Sequence, residues 1–378
     1  STTDSSVPAL APAGGPVIQP HRCVLSARLP LFLAAASVAW AGATGAQSVS
    51  PRRLTVEPYV GGLQLPTGFV FLADDDVLVI EKNTGRVRRV LQGQVAATVL
   101  ELRVNSVSER GGLGIEIDPE FASTGYVYIY YSAATGGKNG GWTENIVARY
   151  RWNGTRLISP KVLLTFPSRA RQANGPNHDG GTLRFGPDGQ LYGQVGDLNR
   201  GRFDDPRIEQ NTGADASAEV GGIFRIDGEG KVPTDNPFAT HTTESIRKWF
   251  VYGVRNGFGL AVDGLTGRLW FTENGPEVYD EINVAESGMN SGWLPLMGPD
   301  SRDARYGANG NRAFDAADLV MLPGSVYRDP QFSWLDPIGV TAMVFLRTDT
   351  FPRRLRDRLV VGDTNTGDLY LFKPRGRK

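Results

Sequence analysis

Short apolar runs separated by Asp, Pro and Gly recur along this chain. Five segments share one design, an apolar run, a tight turn and a second apolar run, at 69–90, 113–132, 183–197, 260–275 and 358–373. The runs either alternate between apolar and polar residues or are wholly apolar, which is typical of half-buried and fully buried strands. The turns contain residues that accept a positive φ or preset a turn. The pattern predicts a repeated β-hairpin and no long amphipathic helix.

The spacing of these hairpins distinguishes between all-β architectures. The hairpins are far apart and unevenly spaced, so long loops must lie between them. A β-sandwich usually has shorter and more even spacing between its strands, whereas a β-propeller accommodates long loops on one face. We therefore expect an all-β fold, a β-propeller of five or six blades in a single domain.

The composition excludes some partners and supports this fold class. The chain has 378 residues, 40% hydrophobic and 21% charged, and its 40 basic residues balance its 40 acidic ones. Because no net charge attracts polyanions, nucleic acid is not an expected partner. The 47 glycines and 24 prolines are many for a helical protein, and they lie between apolar runs, as expected of a chain with many turns.

The N-terminal region has the organisation of an export signal. Arg22 and Arg28 precede an apolar run at 29–42, and small residues follow as far as Ala46. This order predicts a secretory signal peptide that is cleaved near the bond between Ala46 and Gln47. The run is too short to span a bilayer comfortably, so a membrane anchor is the less favoured interpretation. We expect residues 1–46 to stand apart from a propeller domain at 47–378, and the protein to be periplasmic or secreted and not an integral membrane protein.

The single cysteine, Cys23, lies inside the segment that we expect to be removed. The mature chain would then have no disulfide, no thiolate nucleophile and no metal bound through cysteine. An exported protein without disulfides fits the bacterial periplasm best.

Five motifs, which partly overlap the hairpins described above, follow one another along the chain. They are ERGGLGIEIDPEF (109–121), NHDGGTLRFGPDGQLYGQVGD (177–197), GGIFRIDGEGKVPTDNPF (221–238), YGVRNGFGLAVD (252–263) and ENGPEVYDEINVAESGMNSGW (273–293). Together they resemble the soluble pyrroloquinoline quinone (PQQ)-dependent sugar dehydrogenases, the glucose/sorbosone dehydrogenase family, from about Leu65 to Lys373. The resemblance implies a six-bladed β-propeller that binds PQQ and calcium. It also implies oxidation of an aldose sugar at its anomeric carbon, with electrons passing on to an external acceptor.

His178 lies in the second of these motifs and is one of three histidines in the chain. By residue type alone it would be a turn histidine that bonds the backbone. The resemblance instead implies the general base, which takes the proton of the anomeric hydroxyl while hydride passes to the quinone. Imidazole suits this role because its ordinary pKa lies near neutrality.

Four further residues match family positions at the quinone. The resemblance implies that Arg255 and Asn256 touch PQQ, and a permanently charged guanidinium can stabilise negative charge that grows on a quinone oxygen. Without the resemblance, an Arg-Asn pair would be interpreted as a surface turn. Glu109 and Asn177 are the other implied cofactor contacts, and Asp179 follows the base directly.

The motif ENGP implies a calcium site. Gly275 and Pro276 match a dipeptide whose backbone carbonyls bind the calcium that anchors the quinone, and carbonyl oxygens are suitable ligands for this hard cation. The sequence alone predicts a turn here. Asp280 and Glu281 lie nearby and could hold a second, structural calcium, although acidic residues of this kind are more commonly solvated.

The chain departs from the family pattern near its C-terminal end. Asn365 stands where some members place a lysine near the cofactor, and a family segment that completes the last blade has no counterpart before Lys378. We therefore expect an incomplete last blade and weaker binding of the anionic cofactor. The alternatives are a truncated chain, closure of the ring by the segment Leu54–Val60, or a protein that no longer binds PQQ.

Two other functions remain open. The first is a propeller that retains the scaffold as a non-catalytic binding module, since fold does not fix function. The second is a metal-dependent hydrolase of the lactonase type, which needs several carboxylate or histidine ligands around one ion. Only His178 and His241 remain after residue 46, which disfavours the hydrolase.

Overall fold

The computed structural model of this protein describes residues 57–136, 140–168, 178–199, 207–213, 218–300 and 315–374, together with the backbone of 20–23. Regular structure in these ranges is almost entirely β. The exceptions are one short helix, α1 (Phe121–Thr124), and the single 3-10 turns Ile208–Gln210, Glu244–Ile246 and Ala316–Asp318. None of the helices in these ranges could span a bilayer.

The strands form five sheets, numbered here in chain order. The first sheet contains β2 (Pro66–Ala73), β3 (Asp76–Glu81), β4 (Arg86–Leu91) and β5 (Gln94–Glu101). The second contains β6 (Gly112–Ile117), β7 (Tyr126–Ala134), β8 (Trp142–Trp152) and β9 (Leu157–Pro167). The third contains β10 (Leu183–Phe185), β11 (Leu191–Val195), β12 (Gly222–Ile226), β13 (Trp249–Tyr252), β17 (Met289–Asn290) and β18 (Val326–Tyr327). The fourth contains β14 (Leu260–Val262), β15 (Leu269–Glu273), β16 (Asp280–Val284) and β19 (Phe332–Trp334), and the fifth contains β20 (Val340–Phe345), β21 (Leu359–Asp363), β22 (Leu369–Phe372) and β1 (Pro20–Cys23).

The prediction of an all-β fold is confirmed, and each of the five predicted hairpins belongs to a different sheet. Neighbouring strands pair antiparallel, except that β17 pairs in parallel with both β13 and β18. The hairpin at 358–373 joins the second and third strands of its sheet, because β20 precedes it. The described ranges form five sheets, so the count of six blades stays a prediction.

The sheets pack face to face in chain order. Their first strands, β2, β6, β10, β14 and β20, contact one another in succession. An apolar cluster fills each of the four interfaces between successive sheets. Between the second and third sheets, Phe166 is fully buried and stacks against Tyr130, Phe224 and Trp249. Large aromatic side chains of this kind supply much of the apolar area buried in a core.

This topology determines which loops meet. In an antiparallel hairpin, the residues before the first strand and those after the second strand lie at the same end. Because the first strands are neighbours, the corresponding segments of successive sheets gather at one end of the structure. This end contains, in chain order, Lys82, Glu109, His178, Asp197, Arg255, Asn274 and Asn365.

The strand β1 completes the fifth sheet by pairing antiparallel with β22, from Pro20 opposite Phe372 to Cys23 opposite Leu369. It lies within the segment that we expect to be a signal peptide, so the boundary near residue 46 stays a prediction. The described part of the segment predicted to close the ring packs elsewhere, since Val60 contacts the apolar cluster of the first sheet. Within the described ranges, the fourth strand of the last sheet is therefore β1.

Candidate active site

His178 precedes the first strand of the third sheet and is held by two carboxylates. Its backbone has a φ of 70°, in the left-handed region, and its residue surface is 7% exposed. The backbone N–H donates to Glu109 Oε2 at 2.7 Å, and ring Nδ1 lies 2.5 Å from Asp197 Oδ1. Gly180 follows closely, and a Cβ there would overlap the carbonyl oxygen of Gln194. The motif HDGG thus brings the histidine against the end of β11.

Asp197, at the end of β11, is buried and accepts hydrogen bonds on both oxygens. Oδ1 faces His178 Nδ1 and also accepts from the Asn199 N–H at 2.7 Å. Oδ2 accepts from Trp293 Nε1 at 2.8 Å and from Gln210 Nε2 at 3.2 Å. Burial would raise the pKa of Asp197, but the charges of His178 and Arg255 and the hydrogen bonds from His178 and Trp293 outweigh burial and lower it below its usual value.

The pairing of Asp197 with Nδ1 determines which ring nitrogen of His178 can act as a base. An ionised carboxylate only accepts hydrogen bonds, so Nδ1 carries the proton and Nε2 carries the lone pair. The carboxylate also stabilises the imidazolium that forms when Nε2 takes a second proton. This arrangement of an orienting acid and a base is one that enzymes use for proton abstraction.

Arg255, before the first strand of the fourth sheet, lies beside this pair. Its carbonyl accepts from the Asp197 N–H at 2.8 Å, and its own N–H donates to Glu273 Oε1 at 2.6 Å. The guanidinium donates to the carbonyl oxygen of Asn274 at 2.8 Å and lies 5.3 Å from the centroid of the Trp293 ring. The guanidinium of Arg255 and the imidazole of His178 are therefore both held next to Asp197 and Trp293.

Asn256 and Glu109 connect the second and fourth sheets across the site. Asn256 Nδ2 donates to Glu109 Oε2 at 3.1 Å, so this oxygen accepts from both Asn256 and the backbone of His178. Asn256 is 2% exposed, and none of the described residues bonds its buried Oδ1. An unpaired buried acceptor next to Arg255 is what a site for a polar ligand would present. The contacts of Glu109 and Asn256 with a quinone stay predictions.

Behind the base lies a buried polar group centred on Asp179. Its Oδ1 accepts from Asn145 Nδ2 at 3.0 Å, and its carbonyl accepts from the Tyr130 hydroxyl at 2.9 Å. Burial raises the pKa of Asp179 to about 7, with Glu109 acting in the same direction and Asn145, Arg110 and Lys82 opposing it.

Gly275 and Pro276 follow β15 at the same end. The Gly275 N–H donates to Asp280 Oδ1 at 2.9 Å, and a Cβ at Gly275 would overlap the carbonyl oxygens of Val278 and Tyr279. None of the described residues donates a hydrogen bond to the carbonyl oxygen of Gly275 or Pro276. Open backbone carbonyls in a tight turn fit the donor set that calcium prefers.

Asp280 and Glu281 are buried and occupied by other groups. Asp280 Oδ2 accepts the backbone N–H groups of Ile338, Gly339 and Val340, at 2.9, 2.7 and 3.0 Å. Glu281 accepts from Asn283 and from the Gly298 N–H, and burial raises its pKa to about 7. The described ranges contain no group of three or more His, Cys, Asp or Glu side chains suited to a metal. The second calcium site stays a prediction.

The remaining residues singled out by the sequence are Asn177 and Asn365. Asn177 is outside the described residues. Asn365 is exposed after β21 and borders a cavity of about 450 Å³, whose lining includes Trp334, Ile338 and Tyr370.

Residue-by-residue interpretation of the sequence missed Asp197, Trp293 and Gln210. Asp197 is the last residue of the second motif, and its position after a second strand places it at the same end as His178. Trp293 is the last residue of the fifth motif, but it lies 96 residues further along the chain than Asp197, and no local pattern indicates their contact.

Comparison with known proteins places the chain among sugar dehydrogenases. An aldose sugar dehydrogenase of Escherichia coli, YliI, is 27% identical over 335 residues, which are 87% of this chain and 83% of that protein. Quinoprotein glucose dehydrogenase B of Acinetobacter calcoaceticus is 28% identical over 261 residues, 63% of this chain and 52% of that protein. An uncharacterised Synechocystis protein is 31% identical over 252 residues, 62% of this chain and 58% of that protein.

Solved structures give the same result. A structure described as a glucose dehydrogenase superimposes with a TM-score of 0.70 at 26% identity, over 86% of this chain and 87% of that one. The sequence model of the family described as Glucose / Sorbosone dehydrogenase matches residues 63–377, which is most of the chain. The protein therefore belongs to the glucose/sorbosone dehydrogenase family.

Proposed function

We propose that this protein is an exported aldose dehydrogenase that uses PQQ and calcium and oxidises the anomeric carbon of its sugar. The single observation that carries the proposal is the buried His178–Asp197 pair, whose ring nitrogen and carboxylate oxygen are 2.5 Å apart, next to Arg255. The names of two relatives, an aldose sugar dehydrogenase and a quinoprotein glucose dehydrogenase, support the same activity.

Removal of the hydroxyl proton is the step assigned to the protein's own groups. His178 Nε2 accepts the proton of the anomeric hydroxyl, while the C1–H bond breaks with its electron pair and C1 becomes the carbonyl carbon of a lactone. Asp197 stabilises the imidazolium and keeps Nε2 directed away from itself. A general base in position typically contributes about 10²–10⁴-fold to the rate.

PQQ, when bound, would supply the two-electron acceptor for the hydride that leaves C1, and an external acceptor would then take the electrons. Arg255 would contact the quinone and stabilise the negative charge that grows on its oxygen, since a guanidinium keeps its charge at every working pH. The unpaired Asn256 Oδ1 and the Asn256–Glu109 bond, next to Arg255, would help to orient it. Asn177, next to the base, is proposed as a further contact on the strength of the family resemblance.

Calcium would bind the carbonyl oxygens of Gly275 and Pro276. Both carbonyls lie in a turn that is fixed by the bond from the Gly275 N–H to Asp280. In this assignment Asp280 shapes the site from behind, and its carboxylate is already saturated by backbone donors. A second calcium at Asp280 and Glu281 would have to replace hydrogen bonds that both carboxylates already accept.

The proposed location is the periplasm or the extracellular space, since the N-terminal segment has the features of a secretory signal. The partners are then an aldose and an external electron acceptor.

The test is dye reduction by the purified protein after addition of PQQ and calcium, with a panel of aldoses. Reduction that needs sugar, PQQ and calcium together would support the proposal. His178→Gln should abolish most of this reduction. Its matched control is His241→Gln, because His241 lies on a different loop and its Nδ1 accepts only a local bond from the Thr243 N–H. No response to either ligand would instead favour a non-catalytic binding module that has lost tight PQQ binding.

A further inference from the structure

Trp293 contacts both the His178–Asp197 pair and Arg255. Its side chain is almost fully buried, and its indole Nε1 donates to Asp197 Oδ2 at 2.8 Å. The same ring lies under the Arg255 guanidinium, 5.3 Å from ring centroid to guanidinium carbon. The backbone carbonyl of Trp293 accepts from Asn211 Nδ2 at 2.6 Å, and this bond fixes the backbone that carries the indole.

We propose that Trp293 is a positioning residue that sets the proton affinity of the His178–Asp197 pair and holds Arg255 beside it. A role of Trp293 in catalysis rests on the proposed dehydrogenase function. The effect of Trp293 on the proton affinity of the His178–Asp197 pair does not, because these contacts need no cofactor or substrate.

The sign of the effect follows from the bond. An N–H that donates to Asp197 Oδ2 stabilises the charged carboxylate and reduces its hold on a proton shared with His178. With this donor present, the pair holds its proton less tightly than it would without the donor. Without the donor, Asp197 attracts protons more strongly, so the pair takes up its proton at higher pH.

Other charged groups also face this pair, and a substitution at position 293 does not remove them. Arg255 acts on Asp197 from the fourth sheet, Glu109 faces the His178 backbone from the second, and Asp179 follows the base. Gln210 also donates to Oδ2, at the longer distance of 3.2 Å. Of the two side-chain hydrogen bonds to Asp197 Oδ2, the one from Trp293 is therefore the shorter.

The experiment compares Trp293→Phe with the wild type by imidazole NMR titration of the full chain, with and without PQQ and calcium. Phenylalanine removes the N–H but keeps a ring beneath Arg255. The chain has three histidines, so His178→Gln assigns the signal. The matched control is Trp249→Phe, because Trp249 is fully buried and its indole N–H donates to the Ala218 carbonyl instead of Asp197.

We expect the His178 titration midpoint to move upward by about one pH unit in Trp293→Phe, as for loss of one hydrogen bond to a charged group. Trp249→Phe should leave it unchanged. If the wild type oxidises sugars, the acid limb of kcat/KM should move upward with it. An unmoved midpoint in a folded Trp293→Phe protein overturns the inference. A moved midpoint in a protein that oxidises no sugar upholds the inference and rejects only the proposed function.

A second measurement requires no substitution at position 293. The chain has seven tryptophans, and their indole N–H signals can be followed through the same titration in the wild type. One of them should shift with the midpoint of His178. If all seven are insensitive at that midpoint, Trp293 does not report on the pair and the inference fails.

Discussion

Replacement of Asp197 by asparagine tests the chemistry of the site most directly. Asparagine has nearly the same shape but carries no charge, and one of its two acceptor oxygens becomes an NH₂ group. Four donors converge on Asp197, from His178, Asn199, Gln210 and Trp293. Whichever way the amide is turned, its NH₂ group faces donors that it cannot accept from.

The two orientations of the amide have different costs. With NH₂ toward Trp293 and Gln210, two buried donors lose their acceptor, at about 1–3 kcal/mol for each group left unsatisfied. With NH₂ toward His178, the ring must offer a lone pair on Nδ1 and carry its proton on Nε2, which is the wrong tautomer for a base. We therefore expect a loss of about 10²–10⁴-fold in kcat, by analogy with the orienting carboxylate of other enzymes.

The assay is PQQ- and calcium-dependent dye reduction with an aldose, alongside urea unfolding of both proteins. The folded-state pKa of Asp197 is lowered, so its contribution to stability is present above its unfolded value, near 3.8, and is lost as the pH falls through the folded value. The difference in the free energy of unfolding between the wild type and Asp197→Asn should therefore become smaller only at acidic pH. Turnover within about threefold of wild type would refute the assigned roles, since a lost base typically costs far more.

Three further results follow from the structure. His178→Gln should lower kcat about 100-fold or more while PQQ still binds, as measured by cofactor titration, whereas His241→Gln should leave kcat unchanged. Asp179 has a pKa raised from 3.8 to about 7, so the free energy of unfolding of the wild type should fall relative to Asp179→Asn as the pH rises from 4 to 7; a gap independent of pH would contradict this. Phe166→Ala should cost about 3–5 kcal/mol in urea unfolding, because the ring is fully buried between two sheets. Val162→Ala in the same strand is the control, since Val162 is 54% exposed and should change stability by less than about 0.5 kcal/mol.

The strands of this fold could be predicted where the sequence carries a local signal. Each hairpin with a turn of Asp, Pro and Gly is present, and the turn at Gly189 has the φ of 72° that such a residue supplies. The outer strands lie outside the five predicted hairpins. β9, for example, is mostly exposed along Leu157–Pro167, and its apolar residues are interrupted by Ser159, Pro160 and Lys161.

The candidate site could be predicted in part, for a related reason. His178 and Arg255 lie in distinctive motifs, and the order of strands alone places both at one end. Asp197 and Trp293 could not be assigned roles, because a carboxylate or indole becomes functional only through a partner far away in sequence. Their contact requires the third sheet to bring together residues 96 positions apart.

Close approach of backbones, as well as side-chain chemistry, makes this site possible. Gly196 precedes Asp197, and a Cβ at Gly196 would overlap the carbonyl oxygens of both His178 and Arg255. The Asp197 N–H donates to that same Arg255 carbonyl, and the Gly221 N–H donates to the carbonyl of Gly196. The end of β11 is thus held between the loops that carry the base and the cation, at a separation that only glycine allows. Because the packed sheets fix these three segments, the carboxylate meets the imidazole without a flexible loop having to close, which is the preorganisation that proton transfer requires.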